Sequence, residues 1–187
     1  LVVQRPTLLG GTLDVPGTLS VTTVSGLGVG GLLTLNGHTA TVGGDFIVDT
    51  ISDFGMTSSL DVLDVGGDVH WNIESGQWAG QLDLTAGLMR VHGDFTVPVD
   101  DTFNASGTHT VELAGSVSAV SMSSASQSGN RFRNLLVTSA AAAMTASDVY
   151  LTGTLTIQGA SSTERAQLTI GTSRTVTVDG AIFLEDY

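Results

Sequence analysis

One phrase recurs along this chain and constrains its fold more than any other feature. It runs apolar residue, any residue, glycine, a small or acidic residue, then alternating apolar positions. Clear copies are Val15-Pro16-Gly17-Thr18-Leu19-Ser20-Val21, Val42-Gly43-Gly44-Asp45-Phe46-Ile47-Val48, Val65-Gly66-Gly67-Asp68-Val69-His70-Trp71 and Val91-His92-Gly93-Asp94-Phe95-Thr96-Val97. Weaker copies surround Gly115, Gly153 and Gly180. The anchoring glycines are spaced by 27, 23, 26, 22, 38 and 27 residues. The step of 38 is near twice 19, which places a degenerate copy around Phe132 to Val137. A period in this range is the signature of a stacked repeat architecture.

Each copy alternates with period 2, the strand signature. The positions two and four before each glycine, and two and four after it, are apolar in all seven copies; the residues between are mostly Thr, Ser, Asp, Gly, His and Arg. The expected fold is therefore all-β, a parallel β-helix (β-solenoid) of about seven to eight coils forming one domain over 1–187, with the degenerate coil near 116–146. At about 4.8 Å per coil the stack is about 35 Å long. Glycine lets the chain bend between two short strands without a Cβ clash. A coil alone cannot bury its apolar face, whereas stacked coils share one continuous core.

A second strand precedes the main phrase at Leu33–Gly37, Leu82–Gly87 and Leu168–Gly171, so each coil has two or three strands. Asn36-Gly37 is a strong turn signal. The stretches Asp49 to Ser59 and Glu74 to Gln81 read as loops protruding from the stack, and Ser116 to Asn130 as a Ser-rich, low-complexity stretch. Ala140 to Ala146 is too short for an independent helix and reads as a small-residue strand or loop.

Composition removes most chemistry. The chain has no cysteine and no lysine, which excludes disulfide scaffolds, thiol catalysis, Cys-ligated metals, Schiff bases and the phosphate-loop lysine. A net charge of −12 opposes nucleic-acid binding, because phosphate contacts need clustered cations. No apolar run approaches the ~18 residues of a membrane helix. Missing Cys and Lys, with Ser and Thr near a quarter of the chain, suit an exported protein, so the expected location is extracellular or at the cell surface.

Several phrases resemble the repeat grammar of large bacterial surface and secreted proteins. Phe132-Arg133-Asn134-Leu135-Leu136-Val137 is similar to their F-x-N-L-x-V phrase. Ala143 to Ile157 is similar to V-x-L-x-x-D-V-x-V-x-G-T-L-T-I, Leu33 to Asp45 to L-x-L-N-G-x-T-x-T-V-x-G-D, and Phe103 to Gly115 to F-x-A-S-G-T-H-T-V-x-L-x-G. The resemblance implies a right-handed β-helical stalk and no catalytic residue. The expected function is a structural shaft or filament subunit. The alternatives are an adhesin segment binding carbohydrate and, behind it, a polysaccharide-active enzyme.

Candidate sites are few. Asp45, Asp68 and Asp94 follow the glycine in three successive copies, so stacking puts them in one column about 5 Å apart. Like charges there need water, a cation or hydrogen-bonding turns. The readings are Asp side chains capping their own turns, or a weak Ca²⁺ ladder. Asp64 and Arg90 share a position in adjacent coils and can pair. Asp61, Asp64, Asp68 and Arg90 form the one cluster compatible with sugar chemistry. His38 and His109 share a position three coils apart, too far to ligate one metal, and all four histidines read as surface residues. Trp71 reads as core, and Trp78 as a surface contact for sugar or a neighbour.

The ends are the last expectation. A solenoid leaves unpaired strand edges that natural repeats cover. Leu8, Leu13, Val15 and Leu19 at one end, and Val176, Val178, Ile182 and Leu184 at the other, are the expected assembly edges. Their partners are flanking coils of a longer chain or identical subunits meeting head to tail, a contact that propagates as a filament.

Overall fold

The computed structural model describes residues 1–22, 31–50, 52–73, 83–138, 142–159 and 165–185. The chain winds through three faces in fixed order: sheet I, the narrower face II, then sheet III. The first coil holds β1 (Val2–Val3), β2 (Pro6–Leu8) and β3 (Leu13–Val15) on these faces. The second holds β4 (Leu19–Val21), β5 (Leu32–Thr34) and β6 (Thr39–Val42). The third holds β7 (Phe46–Thr50), β8 (Asp53–Gly55) and β9 (Val62–Val65).

In the next three coils face II shrinks to single bridging residues. The fourth has β10 (Val69–Ile73) and β11 (Leu88–Val91), with Leu84 bridging to Met56. The fifth has β12 (Phe95–Val97) and β13 (Thr110–Leu113), with Asn104 bridging to Arg131. The sixth has β14 (Val117–Met122) and β15 (Asn134–Thr138), with Phe132 bridging to Leu151. The seventh holds β16 (Ala142–Thr145), β17 (Val149–Leu151) and β18 (Leu155–Gln158). The eighth holds β19 (Gln167–Ile170), β20 (Val176–Val178) and β21 (Ile182–Glu185). All pairings between these strands are parallel, and sheets I and III have eight strands each. The molecule is a parallel β-solenoid of about six turns stacked between a first and a last one.

Alternation along each strand becomes columns along the axis. On sheet III, Leu13, Ala40, Leu63, Met89, Val111, Leu135, Leu155 and Ile182 stand in register, as do Val15, Val42, Val65, Val91, Leu113, Val137, Ile157 and Leu184. On sheet I, Leu19, Phe46, Val69, Phe95, Val120, Thr145 and Ile170 form one column. Those from the second to sixth coils are buried, so each Val, Leu, Met or Phe among them contributes the roughly 1.5–3 kcal/mol of a buried aliphatic or aromatic side chain.

The six buried rings are not scattered. Phe46, Phe54, Trp71, Phe103, Phe95 and Phe132 form a continuous chain through the interior, with successive centroids 4.9, 6.3, 5.1, 5.0 and 5.2 Å apart. Most pairs meet edge to face, the arrangement that aromatic quadrupoles favour. Trp71 Nε1 donates to Thr102 O at 2.9 Å, which satisfies its one polar atom. Fully buried Asn130 ties down the nearby connections. Its Oδ1 accepts from the Thr102 and Phe103 amides, and its Nδ2 donates to Val99 O and Ser123 O, all at 2.7–2.8 Å.

Four expectations need correcting. The phrases at Gly153 and Gly180 sit at a different corner from the earlier ones. Val15-Pro16-Gly17-Thr18-Leu19 turns from sheet III to sheet I, but Leu151 to Leu155 and Val178 to Ile182 turn from face II to sheet III. The phrase encodes strand, corner, strand, and any corner of the coil can use it. Second, Ser118, Val120 and Met122 are the buried positions of β14, not Ala119, because Phe95 pairs with Val120. Third, Asp49 to Ser59 is no protruding loop: it contains the end of β7 and all of β8. Fourth, Leu19 is not an edge residue; β1 and β7 flank β4 on either side and leave Leu19 fully buried.

Phe103 is the ring most surrounded by others, lying 5.1, 5.0 and 5.5 Å from Trp71, Phe95 and Phe132. Phe103→Ala should lower unfolding stability by about 3–5 kcal/mol in urea titration, the cost of a large core cavity.

Candidate functional site

The Asp column is present at the corner between sheets III and I, and its bonds run between coils. Asp45 Oδ1 accepts the Asp68 amide at 3.0 Å, Asp68 Oδ1 the Asp94 amide at 2.8 Å, and Asp94 Oδ1 the Ala119 amide at 2.8 Å. Each carboxylate thus holds the corner of the next coil. The preceding glycine makes room: a Cβ on Gly67 or Gly93 would collide with the carboxylate oxygen beneath it. The same device appears at other corners, where Asn134 Oδ1 accepts the Thr154 amide at 3.1 Å and Asp148 Oδ1 the Thr175 amide at 2.9 Å. Among the described residues no group of three or more His, Asp or Glu side chains is arranged to hold a metal ion. The Oδ1 atoms of the proposed Ca²⁺ ladder are turned to backbone amides.

A second column lies on the outer side of sheet III. Asp64, Arg90 and Glu112 are in register. Arg90 Nε donates to Glu112 Oε2 at 2.8 Å, and its Nη1 lies 3.5 Å from Asp64 Oδ2. The expected Asp64–Arg90 pair therefore forms, with Glu112 as the closer partner. His92 Nε2 is 3.1 Å from Asp64 Oδ1, and Thr138 Oγ1 donates to Glu112 Oε1 at 2.7 Å. Partial burial works against the Arg90 charge, but the Glu112 bond and charge, with Asp64 behind them, outweigh it and raise its pKa.

The four residues considered for sugar chemistry do not converge. Asp61 is fully buried and occupied at its turn: its Oδ1 accepts the Gly37 amide at 2.5 Å, and its Oδ2 the Thr57 and Ser58 amides at 2.8 and 2.9 Å. Asp68 sits at the opposite corner, with His70 Nε2 3.9 Å away. Only Asp64 and Arg90 meet, and they neutralise each other. Trp78 lies outside the described residues, as does all of Glu74 to Gln81.

His109 departs from the surface reading of the histidines. It shares a register position with His38, but it is fully buried, its ring 6.4 Å from Phe103, and neither ring nitrogen makes a hydrogen bond. Burial lowers its pKa from 6.5 to about 4. No local signal separates the two histidines, since both precede Thr in similar turns. The difference is the ring cluster that long-range stacking brings beside His109. The Asn130 network was equally invisible, because its partners lie up to 31 residues away.

The expected edge residues divide by position. Leu13 and Val15 lie on β3, which among the described residues pairs with β6 alone. Leu8 lies on the edge strand β2 and is exposed. Val176 and Val178 lie on β20, and Ile182 and Leu184 on β21, the last strands of their faces. Comparison with protein-family models, curated proteins and solved structures finds no match to this chain.

Two outcomes follow from this geometry. Asp68→Ala should cost about 1 kcal/mol and speed hydrogen exchange at the Asp94 amide, while Asp68→Asn keeps an acceptor and loses less; excess Ca²⁺ over chelator should leave the melting temperature of the parent chain unchanged. For His109 the folded pKa lies below the unfolded one, so the unfolded chain binds the extra proton. Stability is intact above pH 6.5 and falls as pH drops toward 4, by on the order of 3 kcal/mol in all. Urea unfolding of His109→Leu should lack that part of the acid slope.

Proposed function

We propose that this chain is a structural, non-catalytic shaft of an extracellular or cell-surface assembly, its stack continued axially beyond the first and last coils. The observation that carries this reading is where exposed large apolar side chains gather. Leu1, Val2 and Leu8 lie in the first coil, and Ile170, Ile182, Phe183 and Leu184 in the last. Only Leu60 and Met144 lie between, among the described residues. Exposed apolar surface concentrated in patches marks an interaction site, and here the patches coincide with open strand edges.

Three further features support the reading. Asp45, Asp61, Asp68 and Asp94 are engaged with backbone amides, and Asp64 and Glu112 with Arg90, so none of them forms the free carboxyl pair that glycoside hydrolysis needs. The phrases similar to bacterial surface repeats, and a composition without Cys or Lys, favour an exported setting. A net charge of −12 discourages side-by-side clumping while leaving axial strand pairing available.

Incubation with a panel of acidic and neutral polysaccharides should release no reducing ends and no unsaturated uronate above buffer. Turnover that disappears in Asp64→Asn would overturn the structural reading in favour of a carbohydrate-active one.

A further inference from the structure

We propose that Asn36-Gly37 is a latent self-modification site. The fold keeps its side-chain amide from cyclising by clamping the pair between two neighbouring coils, and the site converts to isoaspartate wherever that clamp opens. The co-reactant is water.

Asn followed by Gly occurs once in the chain, at Asn36-Gly37. In such a pair the glycine nitrogen can attack the side-chain Cγ, since glycine sets no Cβ beside the attacking atom. A bond forms between the Gly37 nitrogen and Asn36 Cγ. The Cγ–Nδ2 bond breaks, and ammonia leaves with the proton that Gly37 gave up. Water then opens the cyclic imide at either carbonyl. Opening at Cγ leaves an ordinary aspartate. Opening at the backbone carbonyl leaves isoaspartate, with the main chain rerouted through Cβ and Cγ. No electron is transferred, and the net change is NH2 replaced by OH.

The folded geometry blocks the first step. Asn36 (φ 55°) and Gly37 (φ 81°) are both left-handed, and the His38 amide donates to Leu35 O at 3.2 Å. Two positive φ values under such a bond make a type I′ turn. In that turn the Gly37 nitrogen lies on the far side of the Asn36 Cα–C bond from Cβ, so ring closure needs about half a turn of ψ at Asn36.

Two neighbouring coils hold the turn against that rotation. Asp61 of the third coil is fully buried and accepts the Gly37 amide on Oδ1 at 2.5 Å, while the Thr57 and Ser58 amides hold its Oδ2 at 2.8 and 2.9 Å. From the first coil, Leu9 O accepts from Asn36 Nδ2 at 3.2 Å. The attacking nitrogen and the leaving nitrogen are thus tied to different coils. The bond to the carboxylate is of the stronger, charge-assisted kind, and Gly37 cannot reach Cγ without breaking it. Asn36 itself is exposed, so water is at hand and the protection comes from geometry rather than burial. The turns at the same corner closed by Asp61 on Ser58 and by His109 on Ser106 carry no Asn, which confines the chemistry to the second coil. Isoaspartate there lengthens the main chain between β5 and β6 and so loosens the pairing of β6 with β3 and β9.

The test follows the purified 187-residue chain at neutral pH by peptide mapping and mass spectrometry, with an isoaspartate-specific methyl-transfer assay to identify the product. The chain unfolded in urea should convert at Asn36, and the folded chain should resist. Folded Asp61→Asn should convert roughly tenfold to a hundredfold faster than the folded parent, the factor that a hydrogen bond to a charged group supplies. If Asp61→Asn does not fold, the parent alone decides. In graded urea its conversion rate should rise in proportion to the open fraction of the Gly37 amide measured by hydrogen exchange. Asn36→Gly keeps a residue suited to the left-handed turn, lacks the side-chain amide, and should abolish the product. The proposal is overturned by a folded parent that converts as fast as the unfolded chain, or by an unfolded chain that gives no isoaspartate. It is equally overturned by a folded Asp61→Asn no faster than the parent, by a rate that does not follow Gly37 exchange, or by product that persists in Asn36→Gly.

Discussion

Everything in this molecule answers to one distance. Parallel backbone pairing fixes successive coils about 4.8 Å apart along the axis, and every group in a coil must tolerate its counterpart at that separation. Apolar side chains do so by interlocking in columns. Corners are harder, because there the backbone turns and carbonyls point along the axis. The chain meets that difficulty with a paired solution: a glycine that leaves space for the backbone below, followed by an aspartate whose carboxylate bonds to the amide above. At Gly67 and Gly93 the two are matched, because a Cβ there would collide with the carboxylate of the coil beneath.

The same constraint sets the electrostatics. Stacking forces identical positions into proximity, so a chain carrying a net charge of −12 must dispose of carboxylates in register. Asp45, Asp68 and Asp94 each accept a hydrogen bond from a backbone amide of the next coil. Asp64 and Glu112 are handled by Arg90 placed between them. Asp64 and Arg90 are partly exposed, a setting in which a pair contributes roughly 0–1 kcal/mol, whereas Glu112 is buried beside Arg90. They maintain register and solubility rather than supply the main stability, which comes from the buried columns.

Much of this was legible in the chain itself, and the failures have specific causes. The inward columns of sheet III through Leu113 follow from period-2 alternation around the glycines, since local pattern and global stacking agree there. The recurring phrase puts Asp45, Asp68 and Asp94 at one register position, but it does not say whether each carboxylate serves its own turn, a cation or the next coil, whose amides they bond. A sequence shows which residues recur, not which neighbouring coil they reach. The shift of the glycine corner at Gly153 carries no sequence signal, because the phrase looks the same at either corner. The burial of His109 depends on Phe103 and the rings around it, and the network at Asn130 on backbone groups up to 31 residues distant; no periodicity encodes those meetings.

Connections from sheet I to face II take up most of the length variation: two residues between β7 and β8, ten between β4 and β5, and eight between Met122 and the bridging Arg131. The corner between sheets III and I stays short through the first five coils. Length can therefore be added on one edge without disturbing the pairing of either long sheet. The solenoid is in this sense a ruled line with a single margin for writing. Peptides inserted in that margin would project from the same azimuth, at intervals set by the coil spacing. The fold separates the part of the sequence that must repeat from the part that is free to differ.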